Sequence, residues 1–177
     1  MRVLDCYKQT TWKGELDQVE YLLKCLGKER DTCYNIIDRP DTSNRQSPQP
    51  DYLIKNSKTG DLMTVEHTRL FESEDQEEIK GNLVKKYPEM VHQRWVDVPT
   101  PNELGKRLSE FVSRKLSKEQ FKDFSHTERI LLAIDLWGGT NINTLMQAEP
   151  YFRLPNFIEC DHFYLILIAS PMLVEVF

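Results

Sequence analysis

A chain of 177 residues with 40% apolar side chains carries enough material for one full core and is short for two comfortable ones. Its ordinary composition excludes wholesale disorder. Its net charge of −5 excludes a broadly basic nucleic-acid footprint, leaving only locally uneven charge for such a role.

Trp12 to Leu26 predicts the first helix, with Gly27 as its stop. Its apolar face carries Trp12, Leu16, Val19, Leu22, Leu23 and Leu26. On a helical wheel Glu15 falls inside that face and Glu20 at its edge. A carboxylate aimed at a core needs a partner, which makes Glu15 a candidate acidic group. The plain alternative is a first-turn acid that complements the helix dipole. Thr32 to Ile37 predicts a strand, Asp38 to Pro50 a loop, and Asp51 to Ile54 a second strand. Lys55 to Asp61, with Asn56, Ser57 and Gly60, has turn chemistry. Leu62 to Leu70 is the third strand. Leu62, Thr64, Glu66, Thr68 and Leu70 share one of its faces, and Met63, Val65, His67 and Arg69 the other.

Ser73 with Gln76 predicts a helix running to about Tyr87, before Pro88. Thr100-Pro101-Asn102-Glu103 is a stronger helix start, followed by Leu104, Leu108, Phe111, Val112 and Leu116 at helical spacing. The run Ile130 to Leu136 reads as a strand buried on both faces, central and parallel. A short helix near Asn143 to Gln147, a buried strand over Phe163 to Ala169 and a last strand over Met172 to Phe177 complete the order. The expectation is a single α/β domain over residues 1–177, a mixed sheet with helices on both faces.

Four cysteines, Cys6, Cys25, Cys33 and Cys160, form no CxxC pair and no zinc spacing with the four histidines, so buried reduced thiols are expected. MRVLDCYKQT has no signal-peptide apolar region. The longest apolar run, Phe163 to Val174, is broken by Ser170 and Pro171 and is too short for a bilayer. The chain is expected to be soluble and cytoplasmic, without a membrane partner.

The chemistry-bearing feature is a pair of carboxylates on one hairpin. A turn centred near Lys58-Thr59 sets Asp51 opposite Glu66, within cross-strand reach. Two acids held that close repel unless a cation or a proton sits between them. Pro50-Asp51 followed by Glu66-His67-Thr68, with this order of elements, resembles the PD-(D/E)xK nuclease superfamily, the fold of many restriction enzymes and Holliday-junction resolvases. The resemblance spans Trp12 to Leu136 and implies a restriction-endonuclease-like αβββαβ core. By that resemblance Glu15 (or Glu20) is the helix acid, Asp51 the strand-two acid and Glu66 the first acid of the strand-three motif. The main-chain carbonyl of His67 would be a further metal ligand. The metal implied is Mg²⁺ or Mn²⁺, and the reaction implied is hydrolysis of phosphodiester bonds in DNA, with RNA open as an alternative substrate. A homodimer or larger assembly fits the same family.

The departure lies at Thr68, where the family usually has lysine. A threonine hydroxyl can hold a water but supplies no positive charge. Lys80, Lys85, Lys86 or Arg69 are candidate replacements, Arg69 the weakest because alternation turns it to the opposite face. His67 faces away from Glu66 by the same alternation, so only its main chain enters the site. Asp135, ending the central strand, is a reserve acid. Lys106, Arg107, Arg114, Lys115, Lys118 and Lys122 on the Thr100 helix read either as a phosphate-touching ridge or as a solvated face interleaved with acids. Trp95 and Trp137 are candidates for base stacking, with core or interface packing as the plain reading. A nuclease-like fold without catalysis, serving as a binding or structural module, is the competing interpretation.

Overall fold

The computed structural model describes residues 1–4, 14–40, 49–70, 99–116, 127–135, 141–154, 160–167 and 172–177. Its strands are β1 (Arg2–Val3), β2 (Tyr34–Asp38), β3 (Tyr52–Asn56), β4 (Leu62–Leu70), β5 (Glu128–Asp135), β6 (His162–Leu167) and β7 (Met172–Glu175). All seven lie in one sheet, in the order β1-β7-β6-β5-β4-β3-β2. The trio β4, β5 and β6 is parallel, and the remaining neighbours are antiparallel. Helix α1 (Glu15–Glu29) packs on one face. Helices α2 (Pro101–Leu116) and α3 (Ile142–Ala148), with a 3₁₀ turn over Glu149–Tyr151, cover the other. The expected mixed α/β architecture is therefore present. No helix among the described residues is long and apolar enough to cross a membrane. The helix expected over Ser73–Tyr87 lies outside the described residues, as do Trp95, Trp137, Lys80, Lys85, Lys86, Lys118 and Lys122.

Burial on both faces makes β5 the centre. Ile130, Leu132 and Ile134 join the α1-side core with Val19, Leu22, Leu26, Tyr52, Val65 and Ile166. Leu131 and Ala133 join the opposite core with Leu104, Leu108, Phe111, Phe163 and Leu165. Each such side chain removed from water contributes about 2 kcal/mol, so these two layers carry the driving force that orders the hairpin. Helix α2 starts where the sequence sets its capping box. Thr100 N–H and Oγ1 bond Glu103 Oε2 at 2.9 and 2.8 Å, and Glu103 N–H returns to Thr100 Oγ1 at 3.4 Å. Asn141 caps α3 in the same manner, its Oδ1 accepting from Thr144 N–H at 2.9 Å.

Three expectations change. Gly27 does not stop α1, which runs on to Glu29. Glycine is needed there for contact: an added Cβ would lie 2.7 Å from the Thr32 carbonyl oxygen. Leu16, assigned to the apolar face, is 45% exposed. Cys25 is disulfide-bonded rather than a reduced thiol, whereas exposed Cys33 and buried Cys160 are free. Burial pushes the Cys160 thiol up to about 12, so it behaves as an inert core group. Strand β1, two residues long, carries no signal in the sequence.

Candidate functional site

The β3–β4 hairpin closes through Ser57–Gly60. Asn56 Oδ1 accepts from Lys58 N–H at 2.9 Å, and Gly60 N–H bonds the Asn56 carbonyl at 2.9 Å. Gly60 has φ +81, a left-handed conformation that glycine adopts without a Cβ penalty. This turn fixes the register Tyr52↔Val65, Leu53↔Thr64 and Ile54↔Met63. The last rung of that ladder is Tyr52↔Val65; Asp51, expected to begin the strand, lies one residue before β3, and Glu66 is the next residue of β4. The ladder ends there, and Asp51 supplies the next rung from its side chain: Oδ2 accepts the His67 N–H at 2.6 Å. A strand residue points its N–H and C=O to the same side, so the His67 carbonyl also faces the ground beyond the end of β3.

Glu66 and Thr68 are each 7% exposed and Thr64 is fully buried, a polar line between Leu62 and Leu70 on one face of the strand. Their partners on β5 are Leu131, Ala133 and Arg129. Leu131 and Ala133 belong to the α2-side core, so Glu66 and Thr68 face α2. A buried carboxylate is costly unless it serves a structural partner or a ligand.

His67 turns the other way. Its ring, 5% exposed, meets α1, with Nε2 2.6 Å from Gln18 Oε1 and Nδ1 3.6 Å from Glu15 Oε2. Burial lowers its pKa to about 4 against the opposing pull of Glu15, with Arg69 and Lys115 adding to the lowering. The imidazole is therefore neutral near pH 7 and lies across the strand from Glu66, as alternation requires. Glu15 belongs to this same side. Tyr52 donates its hydroxyl to Glu15 Oε1 at 2.7 Å, and the Arg39 guanidinium stands 3.6 Å from that oxygen and 4.8 Å over the Tyr52 ring. Burial, then Glu15, raises the Tyr52 phenol well above its ordinary value.

Glu15 packs on the α1 side with His67 and Tyr52, while Glu66 and Thr68 face α2. Glu20 is exposed and lines a groove between α1 and β2. The wheel gave the angle of Glu15 around α1 but not which face of β4 that angle meets. Among the described residues no group of three or more His, Cys, Asp or Glu is arranged to hold a metal. The hairpin end carries two carboxylates, Asp51 and Glu66, hard oxygen donors of the kind Mg²⁺ takes. Arg69 is exposed on the α1 side, and Asp135 pairs with Leu70 and Leu167 at the ends of their strands. Lys106 is exposed and Arg107, Arg114 and Lys115 are half-buried on α2. Sequence reasoning missed Gln18, Arg39 and Tyr52. Gln18 lies three residues from Glu15, the helical spacing that signals a shared face.

A second polar cluster occupies the opposite ends of the parallel strands. Arg30 grips Glu128 with two bonds of 2.8 and 2.7 Å and touches the Tyr34 hydroxyl at 3.3 Å. His162 sits 3.5 Å from Glu128 Oε1 and 3.2 Å from Glu175 Oε1. Glu175 also accepts from Tyr164 at 3.1 Å and from Arg2 Nε at 2.9 Å. Every carboxylate in this cluster meets a guanidinium, the signature of a structural ion network.

Comparison with family models, with curated proteins and with solved structures returns no match.

Proposed function

We propose that the protein is a metal-dependent nuclease hydrolysing phosphodiester bonds in DNA, on a restriction-endonuclease-like fold. The observation that supports this reading is the hairpin register: its last rung, Tyr52↔Val65, leaves Asp51 and the buried Glu66 as the next residues on the two arms. The element order supports it: α1, three antiparallel strands, then α2 and the parallel strand β5. Asp51 and Glu66 would hold one Mg²⁺ or Mn²⁺, and the His67 carbonyl lies on the side to add a ligand. Such an ion, when bound, supplies a low-pKa water and polarises a phosphate. The Thr68 hydroxyl would hold a water by hydrogen bonding. No lysine stands at that position, and the cation that would stabilise developing charge is absent from the motif, which is worth on the order of a few kcal/mol at a transition state.

A second reading has its own observation. Asp51 Oδ2 already serves as the rung that ends the ladder, and Glu15 is engaged elsewhere. Both favour a nuclease-like fold that acts as a binding or structural module.

Calorimetric titration with Mg²⁺ and Mn²⁺ separates the readings, using wild type and Glu66→Gln. The nuclease reading expects millimolar or tighter binding that weakens about tenfold when one of two charged ligands is neutralised. Wild type that takes up no ion at such levels defeats it. Cleavage assays on single-stranded, double-stranded and branched DNA, and on RNA, follow. An ion-binding protein that cuts none of them is the module instead.

A further inference from the structure

Strand β2 ends the sheet, and among the described residues nothing pairs its outer side. The direction of its peptide groups is fixed by two observations. Ser57 N–H bonds the Cys33 carbonyl at 2.8 Å, and the register pairs Asn35 with Lys55. Cys33 and Asn35 therefore direct their backbone groups to β3, and Tyr34 and Ile36 direct theirs outward. The bulge that blunts this strand comes only after Ile36, between Ile36 and Asp38.

Two outward residues separated by one inward residue are self-complementary. Laid antiparallel against its own copy about Asn35, β2 matches Tyr34 with Ile36 and Ile36 with Tyr34. Each match is a pair that exchanges both N–H···O bonds, giving four new bonds across the seam. The side chains agree with this register. Tyr34 and Ile36 are half-buried hydrophobics packed at the margin of the α1-side core, so the seam stacks aromatic on β-branched side chains. On the reverse face Ile37, 51% exposed, comes beside the exposed Cys33 of the other copy. A groove of about 680 Å³ lies against this same strand, lined by Glu20, Leu23, Lys24 and Lys28 of α1 with Tyr34 and Ile36. A two-fold axis at Asn35 runs the two copies of α1 antiparallel, each presenting the acid Glu20 and the bases Lys24 and Lys28 on the groove side, a charge pattern complementary to its own reverse. An isologous contact of this kind closes on itself and forms no fibre.

We infer that the protein pairs with a second copy of itself through the outer edge of β2, joining two seven-stranded sheets into one across a two-fold axis at Asn35. The metal reading does not enter this inference.

The test reads mass and cross-linking on the full chain. Sedimentation velocity, up to about 100 µM, is expected to show a dimer for wild type. Ile37→Lys places a charge at an exposed edge position and should weaken association at least tenfold, with an unchanged circular dichroism spectrum. In a Cys33→Ser background, Asn35→Cys places two thiols on the axis. Facing residues of a non-hydrogen-bonded antiparallel pair have Cα atoms about 4.5 Å apart, inside the range a disulfide spans. Mild oxidation should convert most of that variant to covalent dimer. A wild type that stays monomeric throughout overturns the inference. So does a dimer indifferent to Ile37→Lys, and so does an Asn35→Cys variant that fails to cross-link.

Discussion

The two ends of the parallel strands are built from the same kinds of residue and behave differently. Where β5 and β6 begin, Arg30, Arg2 and His162 are interleaved with Glu128 and Glu175, and the charges neutralise one another. Where the β3–β4 hairpin opens, carboxylates predominate: Glu66 is buried, Asp51 caps a backbone N–H, and His67 is held neutral. A cluster of titratable residues is thus no site in itself. What marks the hairpin end is a carboxylate taken from water on a strand whose neighbours are apolar.

The two ends should titrate in separate windows, and that gives the largest expected effect. The folded pKa of His67, about 4, lies below the ordinary 6.5, so the unfolded chain takes up a proton first. Its contribution is complete above about pH 6.5 and is lost as pH falls toward 4, a change of up to about 3 kcal/mol. Urea unfolding at intervals across that range should show this slope in wild type and lose it in His67→Gln. At the other end, burial works against the Glu175 and Asp161 carboxylates, but hydrogen bonds from Arg2 and Arg129 outweigh it and hold their pKa values below 4.5 and 3.8. Their contribution is present above those ordinary values and disappears only as pH drops through the carboxylate range. A His67→Gln profile as steep as wild type between pH 6.5 and 4.5 would erase the distinction.

Breaking the paired end comes next. Glu128→Ala strands the half-buried Arg30 and should cost about 2 kcal/mol, lowering Tm by about 6 °C in a chain of this size. Replacing both partners together, Arg30→Met with Glu128→Leu, should recover most of that loss. A double mutant as unstable as the single one would mean the pair is not coupled. The smallest effect tests Asp51 as a rung. With a chelator present, Asp51→Ala should cost about 1 kcal/mol by leaving the His67 N–H without its acceptor. Asp51→Asn, which keeps an oxygen in place, should cost clearly less, and equal losses would remove the rung from the account.

Much of this arrangement was legible beforehand because local signals agreed with the final packing. The Thr100 box, the apolar run of β5 and the period-two alternation of β4 each state an element and a face without outside help. The Tyr52–Val65 register followed from turn chemistry, since a hairpin fixes its rungs from its loop. Which side of β4 Glu15 meets was not legible, because a wheel is blind to how α1 lies across the sheet. Arg30 and Glu128, 98 residues apart, could not be matched from sequence, as nothing local links them. Gly27 misled because a stop signal and a close contact both call for glycine.

The β1–β7 pairing at one margin of the sheet has a consequence for the order of assembly. Arg2 and Glu175 meet although they lie 173 positions apart, yet the strand they tie down holds only two residues. So long a chain closure is entropically the most demanding in the molecule and is rewarded by few bonds. β1 should therefore dock last during folding and exchange its amide protons first in D₂O, well before the amides of β5.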